Sequence, residues 1–242
     1  AMLAAKDGFP DLKGSAERVI ATLRQQPRLA ASQMAKGKQV MIGAYDAQLV
    51  IAGCLGQRNT QQWLPLVLRE AERGDYGLLA DLLLMLRGQY GQFQAMSLAM
   101  DVASGQSPQR RALAEAQARE SLFGDALNFP FPAIGDGLGL IDLGDAFRGP
   151  LRSDVPVLFV SGTLDGRTPP ANALALRPGF SDNRLLTVRL ASHHNELWLG
   201  NPVIAESIAT FLAGGGVSDA EVDVPPPVFA KSRAEMFGGM GR

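Results

Sequence analysis

The sequence predicts an α/β chain in which the helices come first. A mostly helical stretch over residues 3–147 precedes a strand–helix–strand–helix segment over 148–216, and residues 217–242 form an extended tail. Three observations carry this reading. Apolar residues recur at helical spacing through the first stretch. A continuous apolar run of strand length, 155–162, comes after it with the composition of a buried parallel strand, and 185–190 reads as a second strand. Each strand passes through a polar turn into a short helix led by a proline.

Taken in order, Asp11 opens a helix through about Gln25 with Val19, Ile20 and Leu23 on one face, and Pro27 ends it. Gln39-Val-Met-Ile has the composition of a short strand. Residues 45–55 fit a helix closed by Gly56. Residues 60–73 fit another, with Pro65 in its first turn and Trp63, Leu64, Val67 and Leu68 as its apolar face. Gly74 suits a left-handed stop, and Asp75 suits the cap of the next helix, which carries Leu78, Leu79, Leu82, Leu83 and Leu86 before Gly88. Residues 94–102 are apolar and fit helix or strand, 107–121 read as an Ala/Gln/Arg-rich helix, and 129–149, dense in Gly and Pro, read as a loop. Beyond Pro150, the strand 155–162 leads through Thr163-Leu-Asp-Gly-Arg-Thr to a helix over 169–176 with Thr168 as its cap. The strand 185–190 leads through Ala191-Ser-His-His-Asn-Glu to a helix over 202–212, stopped by Gly214. Two strands joined this way pair in parallel through a right-handed crossover.

Composition excludes several function classes. The 242 residues are 46% hydrophobic and 19% charged, enough for one large core or two small ones. Lys and Arg number 23 against 24 Asp and Glu, a net charge of -1 without the basic excess of a nucleic-acid binder. No apolar run approaches the roughly 18 residues of a membrane span. One cysteine, Cys54, and two histidines leave no disulfide framework and no cysteine- or histidine-rich metal site. Cys54 reads as a small buried hydrophobe, and Trp63 with the leucines of 78–86 as core.

Chemistry in open α/β sheets gathers outside the carboxyl ends of the strands. Asp165 follows the first strand, and His193 and His194 follow the second. A carboxylate beside an imidazole fixes its tautomer and stabilises its protonated form. Those are two of the three groups of a Ser-His-Asp triad, in the order Asp then His.

The stretch Asp154-Val-Pro-Val-Leu-Phe-Val-Ser-Gly-Thr-Leu-Asp-Gly-Arg-Thr-Pro, followed by Ala191-Ser-His-His-Asn-Glu-Leu, resembles the C-terminal part of α/β-hydrolases, nearest the branch of prolyl and tripeptidyl aminopeptidases. In that family the strand ends in Ser/Gly-Xaa-Xaa-Asp-Xaa-Xaa-Thr-Pro and its aspartate is the triad acid; the resemblance puts that role on Asp165. The family's histidine stands in a Gly-Xaa-Gly-His turn, often before Asn or Asp. Aligning Asn195 with that residue puts the role on His194, with Ala191 and His193 in place of the glycines and His193 as a competitor. A weaker likeness over 58–105, at Trp63-Leu-Pro and Ala95-Met-Ser-Leu-Ala-Met, is to the helical cap of the same branch. The fold implied is the C-terminal part of an α/β-hydrolase, parallel strands with crossover helices, preceded by a mostly helical cap.

The nucleophile of such an enzyme is a serine in Gly-Xaa-Ser-Xaa-Gly. Ser15, Ser104 and Ser161 do not stand in that pattern. The serine is therefore expected outside this chain, in a longer hydrolase of which this is the C-terminal portion. The activity implied by the resemblance is that of a serine peptidase cleaving short peptides or amides near the N-terminus, with this chain alone inactive. The hydrolase reading implies no metal or organic cofactor. Two other readings are an esterase on the same fold and a binding or scaffold protein derived from a hydrolase. The expected partners are a small peptide or amide substrate and either the absent N-terminal half or a second copy of this chain. The cellular location is left open.

Overall fold

The computed structural model describes residues 2–90 and 95–238. The chain divides into two units. One takes in Ala1–Gly53 and Leu64–Gly149, the other Cys54–Trp63 and Pro150–Arg242. The stretch 54–63, which the sequence groups with the helical region, thus joins the strand-bearing unit.

The first unit opens with α1 (Met2–Lys6) and α2 (Leu12–Gln25). The Asp11 side chain caps α2 by accepting from the Gly14 amide at 3.0 Å. A hairpin follows, β1 (Arg28–Ser32) paired antiparallel with β2 (Lys38–Ile42). Its turn places Lys36 and Gly37 at φ of 53° and 83°. Then come α3 (Ala44–Cys54) and, in the other unit, the single turn α4 (Arg58–Gln61). The first unit resumes with α5 (Leu64–Glu72) and α6 (Gly77–Tyr90). The one helix expected over 60–73 is two. A continuous helix would need the missing amide of Pro65 to bond the carbonyl of Gln61, so α5 restarts with Pro65 at its second residue. Gly74 ends α5 at φ 89°, and the Asp75 side chain accepts from the Gly77 amide at 2.9 Å to start α6.

Val19, Ile20 and Leu23 of α2, Val67 and Leu68 of α5, and Leu78, Leu79 and Leu83 of α6 are fully or almost fully buried and form this unit's core. Asp81 of α6 is buried among them, accepting from the Ser32 hydroxyl at 2.6 Å and the Met34 amide at 3.1 Å at the mouth of the hairpin. Asp81→Ala strands both donors. It is expected to cost about 2–3 kcal/mol, with Asp81→Asn, which keeps an acceptor, costing less; urea unfolding of the two variants checks this.

The unit continues with α7 (Ala95–Ser104), α8 (Pro108–Glu120), α9 (Phe131–Leu138) and α10 (Gly144–Phe147). Residue 94, the expected start of the apolar segment at α7, lies outside the described residues; the segment itself is helical. The Ser107 hydroxyl caps α8. The Gly- and Pro-dense stretch 129–149, read as a loop, holds two helices. One of its glycines serves close packing: a Cβ on Gly135 would lie 2.8 Å from Cγ2 of Val102, so α9 approaches α7 where a larger residue would not fit.

The second unit is built on β3 (Val157–Gly162), α11 (Pro170–Leu176), β4 (Asn183–Arg189), α12 (Glu196–Leu199), α13 (Pro202–Leu212) and β5 (Ala220–Asp223), with α14 (Arg233–Gly238) near its end. The sheet is parallel in the order β3-β4-β5. The tail read as merely extended supplies β5: Ala220 to Asp223 run beside Leu186 to Arg189, and the Arg189 guanidinium forks onto Asp223 at 2.5 and 2.7 Å. Leu186, Val188, Ala191, Leu197, Ile204, Val222 and Val224 make the core on one side of this sheet. Val157 to Val160 of β3 are half-buried, where the apolar run led one to expect full burial. The reason is topological. Among the described residues this sheet has three strands, and β3 is at its edge. Among the described residues no helix is long and apolar enough to cross a membrane.

Candidate active site

Two loops at the carboxyl ends of β3 and β4 are stitched together. The Thr163 amide donates to the Val188 carbonyl at 3.1 Å and the Leu164 amide to the Ala191 carbonyl at 2.8 Å. The Leu190 amide donates to the Thr163 hydroxyl at 2.9 Å. The approach is close enough that only glycine fits at position 162, where a Cβ would lie 2.5 Å from the Ala191 carbonyl oxygen. Within the same unit, Gln61 of α4 braces the first loop by donating to the carbonyls of Leu55 at 2.6 Å and Leu164 at 3.0 Å.

This stitching brings Asp165 and His193 together. His193 Nδ1 lies 2.9 Å from Asp165 Oδ2. The Asp165 side chain is 1% exposed and that of His193 38%, so the acid is sealed while the imidazole reaches solvent. The other carboxylate oxygen of Asp165 accepts from the amides of Arg167 and Thr168, each at 2.8 Å. Oδ2 also accepts from the Thr168 hydroxyl at 2.6 Å. Burial alone would raise the Asp165 pKa. The bonds from the Thr168 hydroxyl and amide, from His193 and from the Arg167 amide outweigh it and hold the carboxyl below its ordinary value of 3.8.

His194, on which the alignment put the base, is exposed and makes no side-chain hydrogen bond to Asp165; its carbonyl accepts from the Leu197 amide in the turn into α12. The pairing expected of His194 is made by His193. The family's turn also fits one register away, through backbone geometry and side-chain size rather than through glycines in the sequence. Counting back from His193, the family's two glycine positions fall on Leu190 and Ser192. Leu190 sits at φ 67°, the left-handed backbone that a glycine would supply there. Ser192, fully buried, is small enough for the second position.

Two further contributors escape a reading by motif. Thr168, expected to cap α11, instead turns its hydroxyl to Asp165, with its oxygen 3.0 Å from His193 Nδ1. Pro169 holds the cap position, without a side-chain bond. Glu196 closes the histidine turn: its carboxylate accepts from the Ser192 amide at 3.0 Å and from the Ser192 hydroxyl. Burial pushes the Glu196 pKa up, but the Ser192 bonds and the charge of Arg58 leave it below its ordinary value of 4.5. A carboxyl with a lowered folded-state value stabilises the fold above its unfolded value, and that contribution is lost as pH falls through the lowered one. Glu196→Gln is therefore expected to flatten the acid limb of stability, losing less than the wild type as pH drops from about 6 to about 3; thermal unfolding across that range checks it.

In chemical terms, a carboxylate at Nδ1 favours the imidazole proton there, leaving the Nε2 lone pair free to take a proton from a nucleophile. Among the described residues no group of three His, Cys, Asp or Glu side chains is placed to hold a metal ion.

Comparison with known proteins places this segment. A family model described as TAP-like protein, of the α/β-hydrolase kind, matches residues 145–223. The tripeptidyl aminopeptidase of Streptomyces coelicolor (strain ATCC BAA-471 / A3(2) / M145) is 37% identical over 71 residues, which is 29% of this chain and 13% of that protein. The chain therefore spans a small part of the length of this relative. The parallel strands, their crossover helices and these matches agree: residues 145–223 form an α/β-hydrolase segment of the TAP-like branch.

Proposed function

We propose that Asp165 and His193 are the acid and the base of a Ser-His-Asp peptidase whose serine comes from polypeptide outside this chain. The observation that carries the reading is the bond from His193 Nδ1 to the sealed Asp165 carboxylate. In the catalytic cycle His193 Nε2 takes the serine proton as the hydroxyl attacks the scissile carbonyl. It then returns that proton to the departing amine. Asp165 stays ionised throughout, holding the ring and stabilising the imidazolium. The lowered pKa of Asp165 suits that role.

The substrate class follows from the likeness to a tripeptidyl aminopeptidase: short peptides or amides cleaved near their N-terminus. Among the described residues no strand pairs with the outer edge of β3, which supports association with the polypeptide that carries the serine and the rest of the sheet. The test is a substrate panel on the longer protein, with tripeptidyl and aminoacyl amides set against esters of the same acyl groups. Turnover of the amides, with kcat/KM rising from one to three residues, is the expected result. Hydrolysis of esters alone would replace the peptidase reading with the esterase one. Turnover of neither would favour a binding protein.

A further inference from the structure

We propose that Thr168 is a positioning residue that fixes the proton of His193 on Nδ1. Three distances define the arrangement. Thr168 Oγ1 lies 2.6 Å from Asp165 Oδ2 and 3.0 Å from His193 Nδ1, and His193 Nδ1 lies 2.9 Å from Asp165 Oδ2. The three atoms form a closed triangle over one edge of the imidazole.

The hydrogen inventory decides what the triangle does. A hydroxyl has one proton and lone pairs on the same oxygen. The shortest side of the triangle takes that proton, from Thr168 Oγ1 to the acceptor-only carboxylate of Asp165. Thr168 then presents only lone pairs to His193. Asp165 does the same. With acceptors in both directions, Nδ1 carries the hydrogen, shared between Oδ2 and Oγ1, and Nε2 is left as the lone-pair nitrogen. The backbone secures this geometry, because the Thr168 amide is itself bonded to Asp165 Oδ1 at 2.8 Å. The hydroxyl cannot turn away without leaving the carboxylate one donor short in a pocket where the Asp165 side chain is 1% exposed. Thr168 thus links the ionised state of Asp165 to the tautomer of His193. The consequence for proton transfer rests on the reading of these residues as a catalytic pair; the tautomer itself does not.

The test is ring-nitrogen NMR on the 15N-labelled chain at a pH well above the imidazole range. With two histidines in the chain, His194→Gln assigns the signals. In the wild type His193 is expected as the Nδ1–H form. Thr168→Val, which keeps the shape and removes the hydroxyl, is expected to raise the Nε2–H share roughly two- to tenfold, and Thr168→Ser is expected to restore it. A His193 tautomer unmoved by Thr168→Val, or not restored by Thr168→Ser, overturns the proposal. If Thr168→Val fails to fold, the wild type decides. A slowly exchanging Thr168 hydroxyl proton in contact with the His193 Nδ1–H supports the proposal, and a rapidly exchanging hydroxyl overturns it. None of these readouts uses turnover, so a protein that hydrolyses nothing can still show the linkage, and an active peptidase can still lack it.

Discussion

His193→Gln in the longer protein is expected to lower kcat by about 10⁴-fold or more with little change in KM, while His194→Gln stays within about threefold of the wild type. The asymmetry is the point of the experiment, because the two histidines are neighbours with the same composition around them. His193 has its Nδ1 on Asp165, whereas His194 is exposed and has no bond to that carboxylate. Asp165→Asn belongs to the same prediction. It preserves the size of the side chain but offers a donor where the ring needs an acceptor, and its expected cost is also about 10⁴-fold in kcat. The double variant His193→Gln with Asp165→Asn is expected to be little worse than either alone, because the pair acts as a unit. Steady-state kinetics on one amide substrate measures the four variants beside the wild type.

Gly162→Ala carries the second large effect and acts through the backbone. The new Cβ would stand 2.5 Å from the Ala191 carbonyl oxygen and 3.0 Å from its carbon. Neither is the end of a flexible side chain, so the β3 and β4 loops must part. The bond from the Leu164 amide to that same carbonyl, 2.8 Å long, stretches with them. The expected cost is about 1–3 kcal/mol of stability from overpacking. Activity is expected to fall by about 10²-fold, because Asp165 and His193 lie on the two loops being separated. Gly137→Ala, at an exposed position in α9 whose Cβ would touch nothing, is the control: it should leave activity unchanged and not lower stability, the helix gaining up to about 1 kcal/mol. Urea unfolding beside kinetics separates the two losses.

What could be read in the sequence divides along physical lines. The strands β3 and β4 and the loop of Asp165 were legible because the apolar run of 155–162, the strand composition of 185–190 and the Asp-Gly-Arg-Thr-Pro turn are local signals. The helix α2 with its Asp11 cap, the stop at Gly74 and the Asp75 cap were legible for the same reason. The strand β5 was not: Ala220-Glu-Val-Asp is short and half acidic, and it becomes a strand through pairing with β4 and the Arg189–Asp223 fork. Helix α9 was hidden by its two glycines, of which Gly135 has a tertiary use, against Val102. That His193 and not His194 meets Asp165 was hidden as well: Leu190, three residues before His193, has a left-handed φ that leucine does not announce. Thr168 was read as a helix cap because Thr before Pro is a cap pattern; its hydroxyl goes to a carboxylate three residues back, a contact that only the folded loop creates.

The measurement that tests the central claim most directly is labelling by a serine-directed phosphonate, with the labelled residue located by mass spectrometry. The longer polypeptide is expected to take one label on a serine preceding this chain, to lose it in His193→Gln and to keep it in His194→Gln, while this chain alone takes none. A stoichiometric label on a serine within these 242 residues, or labelling of the longer protein that survives His193→Gln, would contradict the account.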